Sequence, residues 1–127
     1  MAYLISTVTY ENYLHVKVQG QNCPSTVRAY LLHIANLCRV SNYSAVLIEE
    51  FLSGPSLGMA EVFDIVMSGS SNAMFLTQIA YVDANKEHDK ERMKFAELIA
   101  SNQGLNIRIF DEVYKAAEWL RSLPSES

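Results

Sequence analysis

The side chains able to do chemistry in this chain are few and scattered. His15, His33 and His88 fall in what read as a strand, a helix and a loop or helix start, and none sits in a nucleophile–base motif. Acid–base work needs two titratable groups in one cleft with their pKa values pushed apart. Glu49 and Glu50 are neighbours at a strand end, so their side chains point to opposite faces and only one can face a cleft. Ligands of parallel α/β sheets bind beyond the carboxyl ends of the strands, which keeps Glu50 and Asp83 as candidates. The sequence has no glycine-rich phosphate loop, no Gly-x-Ser-x-Gly elbow and no His/Cys group with metal-ligand spacing. Cys38 lies in an apolar helical stripe and reads as a small buried hydrophobe; Cys23 precedes Pro24 in a loop, and nothing supports a disulfide between them. The expectation is a non-enzymatic protein with no catalytic residue, no metal and no cofactor.

The elements that would position these groups follow from pattern. Residues 3–10 are rich in Tyr, Ile, Thr and Val and read as a strand; Glu11-Asn12 suits a two-residue hairpin in which Asn12 takes the left-handed conformation. In the second strand, 13–19, Leu14, Val16 and Val18 share one face and Tyr13, His15, Lys17 and Gln19 the other. Ser25 or Thr26 can cap a helix to about Val40, with Val27, Tyr30, Leu31, Ile34, Leu37 and Cys38 as its stripe. The apolar run 45–51 reads as a buried central strand. Ser53-Gly54-Pro55-Ser56 breaks it, with Ser53 or Ser56 as cap of a helix from about Leu57 to Met67 or Ser68. Ser68-Gly69-Ser70-Ser71-Asn72 reads as the loop that ends this helix, and 73–77 is ambiguous. Then come a strand over 78–83, a charged helix from His88 or Asp89 to Asn102 stopped by Gly104, a strand over 106–110, and a helix capped by Asp111, running to Leu123 and ended by Pro124 before a frayed tail. Strand and helix alternate after the hairpin, which predicts parallel strands with right-handed crossovers, helices on one face and the other face open or covered by something else.

The 127 residues predict one domain, 1–127. Half of them are hydrophobic and 19% charged, which excludes disorder; a net charge of −4 argues against nucleic acid or an anionic membrane as partner. No apolar run reaches the roughly 18–20 residues of a spanning helix, so an integral membrane protein is not expected. The first residues lack a basic n-region and a long apolar h-region, and the expected location is cytoplasmic. Between Arg39 and Lys86 there is no Lys or Arg, and the helix in that stretch carries more apolar surface than one sheet face covers. Its surplus, Met59, Val62, Phe63 and Met67 with Met74 beyond, should meet a partner chain, a ligand or the folded-over 74–76 segment. A symmetric homodimer is expected through Met59, Val62 or Met67, or else through an open sheet face around Tyr13 and His15. The alternative is a small apolar, lipid-like ligand between this helix and residues 73–76. The mixed-sign run Lys86 to Lys94 reads as a solvated helix face.

This element order, with the ending Ile107-Arg108-Ile109-Phe110-Asp111-Glu112-Val113-Tyr114-Lys115-Ala116-Ala117-Glu118-Trp119-Leu120, resembles the SpoIIAA-like group, whose fold is that of the STAS domains, the anti-sigma-factor antagonists. The resemblance implies an α/β superhelix with an N-terminal hairpin, alternating strand–helix units and a mixed sheet with helices mainly on one face. It also implies a protein-interaction module or small-ligand binder. STAS antagonists carry Asp-Ser-Ser-Gly-Leu-Gly after the third strand, the second serine being phosphorylated. Here Ser53-Gly54-Pro55-Ser56-Leu57-Gly58 puts Pro55 on that position and Ser56 where the family has glycine. Ser56 then remains as a regulatory phosphate acceptor at a helix N-terminus, or as a simple cap.

Overall fold

A computed structural model describes residues 3–122 of the chain. Nine elements follow one another: β1 (Tyr3–Thr9), β2 (Leu14–Gln21), α1 (Pro24–Val40), β3 (Ala45–Ser53), α2 (Met59–Ala73), β4 (Gln78–Asp83), α3 (Lys90–Asn102), β5 (Ile107–Phe110) and α4 (Val113–Ser122). The strands form one sheet in the order β1-β2-β3-β4-β5. β1 and β2 are an antiparallel hairpin, and β2 to β5 run parallel. This is the expected architecture of hairpin followed by strand–helix units. Leu123, Pro124 and the tail, invoked above as the end of the last helix, lie outside the described residues.

The period of two divides the sheet between two cores. Leu14, Val16 and Val18 of β2, Val46, Ile48 and Leu52 of β3, and Ile79 of β4 face α1 and α2, where Val27, Tyr30, Ile34, Cys38 and Ile65 meet them. Their neighbours Tyr13, Ala45, Leu47, Ala80 and Val82 face the other way and are covered by Ala116, Ala117 and Leu120 of α4. The second face is therefore not open where it was expected to be: Tyr13 is 4% exposed and His15 7%, with His15 paired to Glu49 at 3.0 Å. The half-polar alternation of β2 is satisfied by that pair and by burial of Tyr13, which sequence alternation alone reads as solvent exposure.

Local rules explain the helix ends. Pro24 occupies the first turn of α1, where its missing N–H costs nothing, so the helix begins at Pro24 with Cys23 in the cap position rather than Ser25 or Thr26. At its C-terminus Asn42 adopts φ 64°, letting Tyr43 N–H reach Cys38 O at 2.9 Å and Asn42 N–H reach Arg39 O. The left-handed asparagine is thus Asn42 and not Asn12. Gly104, at φ 94°, does the same for α3, with Leu105 N–H on Ala100 O at 3.1 Å. α2 continues through Ser68–Asn72, which the composition suggested was a loop. Ser68 Oγ bonds back to Ile65 O at 3.3 Å and Ser70 Oγ to Val66 O at 2.6 Å, so the serines satisfy themselves on the helix's own carbonyls. Asp111 lies two residues before α4, and its carboxylate takes Lys115 Nζ at 3.2 Å. Among the described residues no helix is long and apolar enough to cross a membrane. Both cysteines are free, and burial pushes the Cys38 thiol up to about 11.

Candidate functional site

α2 packs against α1 and α3, and its Ile65 reaches the core on the sheet. A cavity of about 350 Å³ results, walled by the three helices and floored by the sheet. Its walls are apolar or small: Leu31 and Ala35 from α1, Val66 and Gly69 from α2, Met93 and Ala96 from α3, with Ile79 and Ile107 below. A Cβ added to Gly69 would meet nothing within 4 Å, so the helix carries a hydrogen where a side chain would fit. The cavity is larger than the pocket expected between α2 and residues 73–76, because it reaches across to α3 and up to the ends of β3 and β4. Leu76 is buried in the main core and Phe75 packs against that core under Arg39, while Met59, Phe63, Met67 and Met74 remain exposed.

One wall of the cavity is polar. Glu50 shares the face of Val46, Ile48 and Leu52, and the parallel register places it beside Asp83 of β4, with Tyr81 beside Ile48. Glu50 is 4% exposed. Tyr81 Oη donates to Glu50 Oε2, and Tyr30 Oη lies 3.3 Å from Tyr81 Oη, which leaves Tyr30 as the donor of that bond. Burial, offset in part by the Tyr81 hydrogen bond and reinforced by the Asp83 charge, pushes the Glu50 carboxyl up to about 8. The same burial, with Glu50 and Asp83 nearby, holds the Tyr81 phenol well above its ordinary value.

Beyond Asp83 the cluster continues into the loops at the carboxyl ends of the strands. His88 Nδ1 is 2.6 Å from Asp83 Oδ2, and its Nε2 is 2.8 Å from the Gly54 carbonyl. Asn85 reaches Leu52 O at 2.7 Å, Asn22 reaches Pro55 O at 2.9 Å, and Arg92 Nε reaches Leu57 O at 2.9 Å. The β3–α2 loop is thus tied down carbonyl by carbonyl from three other elements. Ser53 and Ser56 sit in it, but neither caps α2. Ser53 Oγ donates to Gly20 O at 3.3 Å, and Ser56 Oγ accepts from Asp89 N–H at 2.7 Å, at the start of α3. The start of α2 is held by Glu61, whose carboxylate accepts from Gly58 N–H at 2.9 Å.

On the outer side of α2, Met59, Phe63 and Met67 stand exposed at i, i+4 and i+8, and Met74 follows past the helix end. Val62 turns inward at 9% exposure and lines the cavity. The structure thus brings Glu50 and Asp83 together and adds Tyr81 and His88, which the sequence reading had left out of any site. It leaves His15 with Glu49 on the opposite face, and His33 with Tyr3 Oη at 3.1 Å. Among the described residues no group of His, Cys, Asp and Glu is placed to hold a metal ion.

The chain is thus a hairpin leading into parallel strand–helix units, with three helices on one face of the sheet and the last on the other. Over 94% of this chain and 95% of the other, it matches a crystal structure of an anti-sigma factor antagonist from Mycobacterium paratuberculosis, with a TM-score of 0.60 and 13% sequence identity. At that identity the likeness establishes the fold, and the SpoIIAA-like architecture implied by the chain's ending is borne out. No family model matches the chain, and no curated protein does.

Proposed function

We propose that the chain is a non-enzymatic, STAS-like interaction module that acts as one cytoplasmic domain and docks protein through the outer face of α2, first of all a second copy of itself. The observation that supports this is the exposed row Met59, Phe63 and Met67 on a helix whose inner face is already used. Contiguous apolar surface of this kind marks interaction sites, and methionine adapts to a partner's contour. The structural neighbour is an anti-sigma factor antagonist, which fits a regulatory role exercised by binding. Sedimentation velocity at micromolar concentration tests the reading. A dimer is expected, shifted toward monomer by Phe63→Lys, because a two-fold contact buries two copies of the introduced charge, one from each chain. A wild-type monomer throughout that range removes the self-association.

A second reading, a small apolar ligand, is favoured by a different observation: the cavity between α2 and the sheet, whose volume lies within the roughly 300–1,000 Å³ of small-molecule sites. Native mass spectrometry of protein purified from its host is expected to show a co-purifying mass. A bare polypeptide mass would count against it.

A further inference from the structure

Glu50 presents to the cavity a buried carboxyl that the fold does not use up. Glu50 is 4% exposed and lines the cavity, and its Oε2 accepts from Tyr81. Tyr30 donates to Tyr81 in turn, so both phenol hydrogens point along one chain toward Oε2. Among the described residues Oε1 meets no donor. A buried oxygen without a partner is costly, and native chains leave few of them. This one sits in an apolar chamber of ligand size, beside a helix that carries glycine where a side chain would fill the space.

We infer that the cavity binds an apolar molecule bearing one uncharged hydroxyl, which exchanges hydrogen bonds with Glu50 Oε1 while its hydrocarbon body lies under α2. The inference rests on the apolar-ligand reading and specifies the head group. The charges around the site select that group. A ligand carboxylate at Oε1 would stand beside Glu50 and Asp83; of the basic side chains that line the cavity, His88 is held by Asp83 and the Gly54 carbonyl and Arg92 by Leu57 O and Asp89, while Arg28 is exposed to solvent on α1. A ligand ammonium would require an ionised Glu50, whereas burial favours the protonated carboxyl. A hydroxyl both donates and accepts, so it pairs with the protonated carboxyl without adding charge to a low-dielectric chamber.

The test compares heads on one short chain. Octane, 1-octanol, octanoate and octylamine are titrated at pH 7 into the purified wild-type protein by calorimetry, and into two variants. The double variant Glu50→Leu/Tyr81→Phe removes both ends of the Glu50 bond and leaves the Tyr30 hydroxyl as the last polar group of the row. Gly69→Phe fills the cavity from α2, and urea unfolding establishes that both variants fold. The wild type is expected to bind 1-octanol about tenfold more tightly than octane, the worth of one buried hydrogen bond. The double variant is expected to bind octane more tightly than 1-octanol, because its apolar wall leaves the hydroxyl desolvated and unpaired, and Gly69→Phe to bind neither. Equal binding of octane and 1-octanol by the wild type overturns the head-group assignment and leaves the apolar-ligand reading standing; no binding of any probe overturns both. Octanoate or octylamine binding more tightly than 1-octanol overturns the uncharged head. A preference for 1-octanol that survives in the double variant overturns the role of Glu50.

Discussion

Replacing Glu50 by glutamine isolates the electrostatic cost of the cavity wall. The amide keeps the side-chain shape and an oxygen for Tyr81 Oη but cannot ionise. In the wild type the carboxyl's value rises from 4.5 to about 8 on folding, chiefly through burial. The folded chain therefore holds a proton that the unfolded chain releases across this window. The contribution is fully present below pH 4.5 and is lost as pH rises through 8. At 1.36 kcal/mol per pH unit, the advantage of Glu50→Gln over wild type should grow from about 1 kcal/mol at pH 5 to about 3 kcal/mol at pH 7 and about 5 kcal/mol at pH 9. Any constant offset from the amide shifts all three values together. Urea unfolding midpoints at the three pH values give the difference directly. A difference that stays flat from pH 5 to pH 9 would refute the reasoning, because it would mean that Glu50 is solvated in the folded protein.

Two further substitutions test the packing. Leu120→Ala empties the second core at a residue 3% exposed and should cost about 2–5 kcal/mol in urea unfolding; a shift too small to resolve would mean that α4 does not dock on β3 and β4. Gly69→Ala adds a methyl into unoccupied space within α2 and should raise stability by about 1 kcal/mol, read as a higher thermal midpoint, since the alanine restricts the unfolded chain and meets no neighbour.

The strand and helix order was legible because each element carries its own period and punctuation: Gly104 stops α3, Asp89 caps it through Glu91 N–H at 2.9 Å, and Ala45–Leu52 is apolar enough to be central. The length of α2 was not legible, because Ser68 and Ser70 have two uses, breaking a helix or bonding back onto it, and only the packing of Ile65 and Val62 chooses between them. The site was half legible. Glu50 and Asp83 were marked by standing at the ends of parallel strands, but Tyr81 and His88 were not joined to them. A signal was available. Taken at a period of two, Val46, Ile48, Glu50 and Leu52 form one row and Ile79, Tyr81 and Asp83 another, which puts every polar residue of the two inner rows at the same end. The cavity itself has no signature in sequence. It exists only in the packing of α1, α2 and α3 over the sheet, where residues far apart in sequence line it together.

The division of the sheet between two cores has a consequence for the protein's synthesis. The face shared by Ala45, Leu47, Ala80 and Val82 is covered by α4, which is made after all five strands and after α1 to α3. On a ribosome adding about 5–20 residues per second, the interval between Leu47 and Leu120 is roughly 4–15 s. During that time α1 to α3 can already close over the first face, while the second stays bare and wet. The nascent chain thus passes through a stage in which it is sealed on one side and adhesive on the other. Chaperones that shield emerging polypeptides have a defined patch to hold, and α4 must displace them to finish the fold.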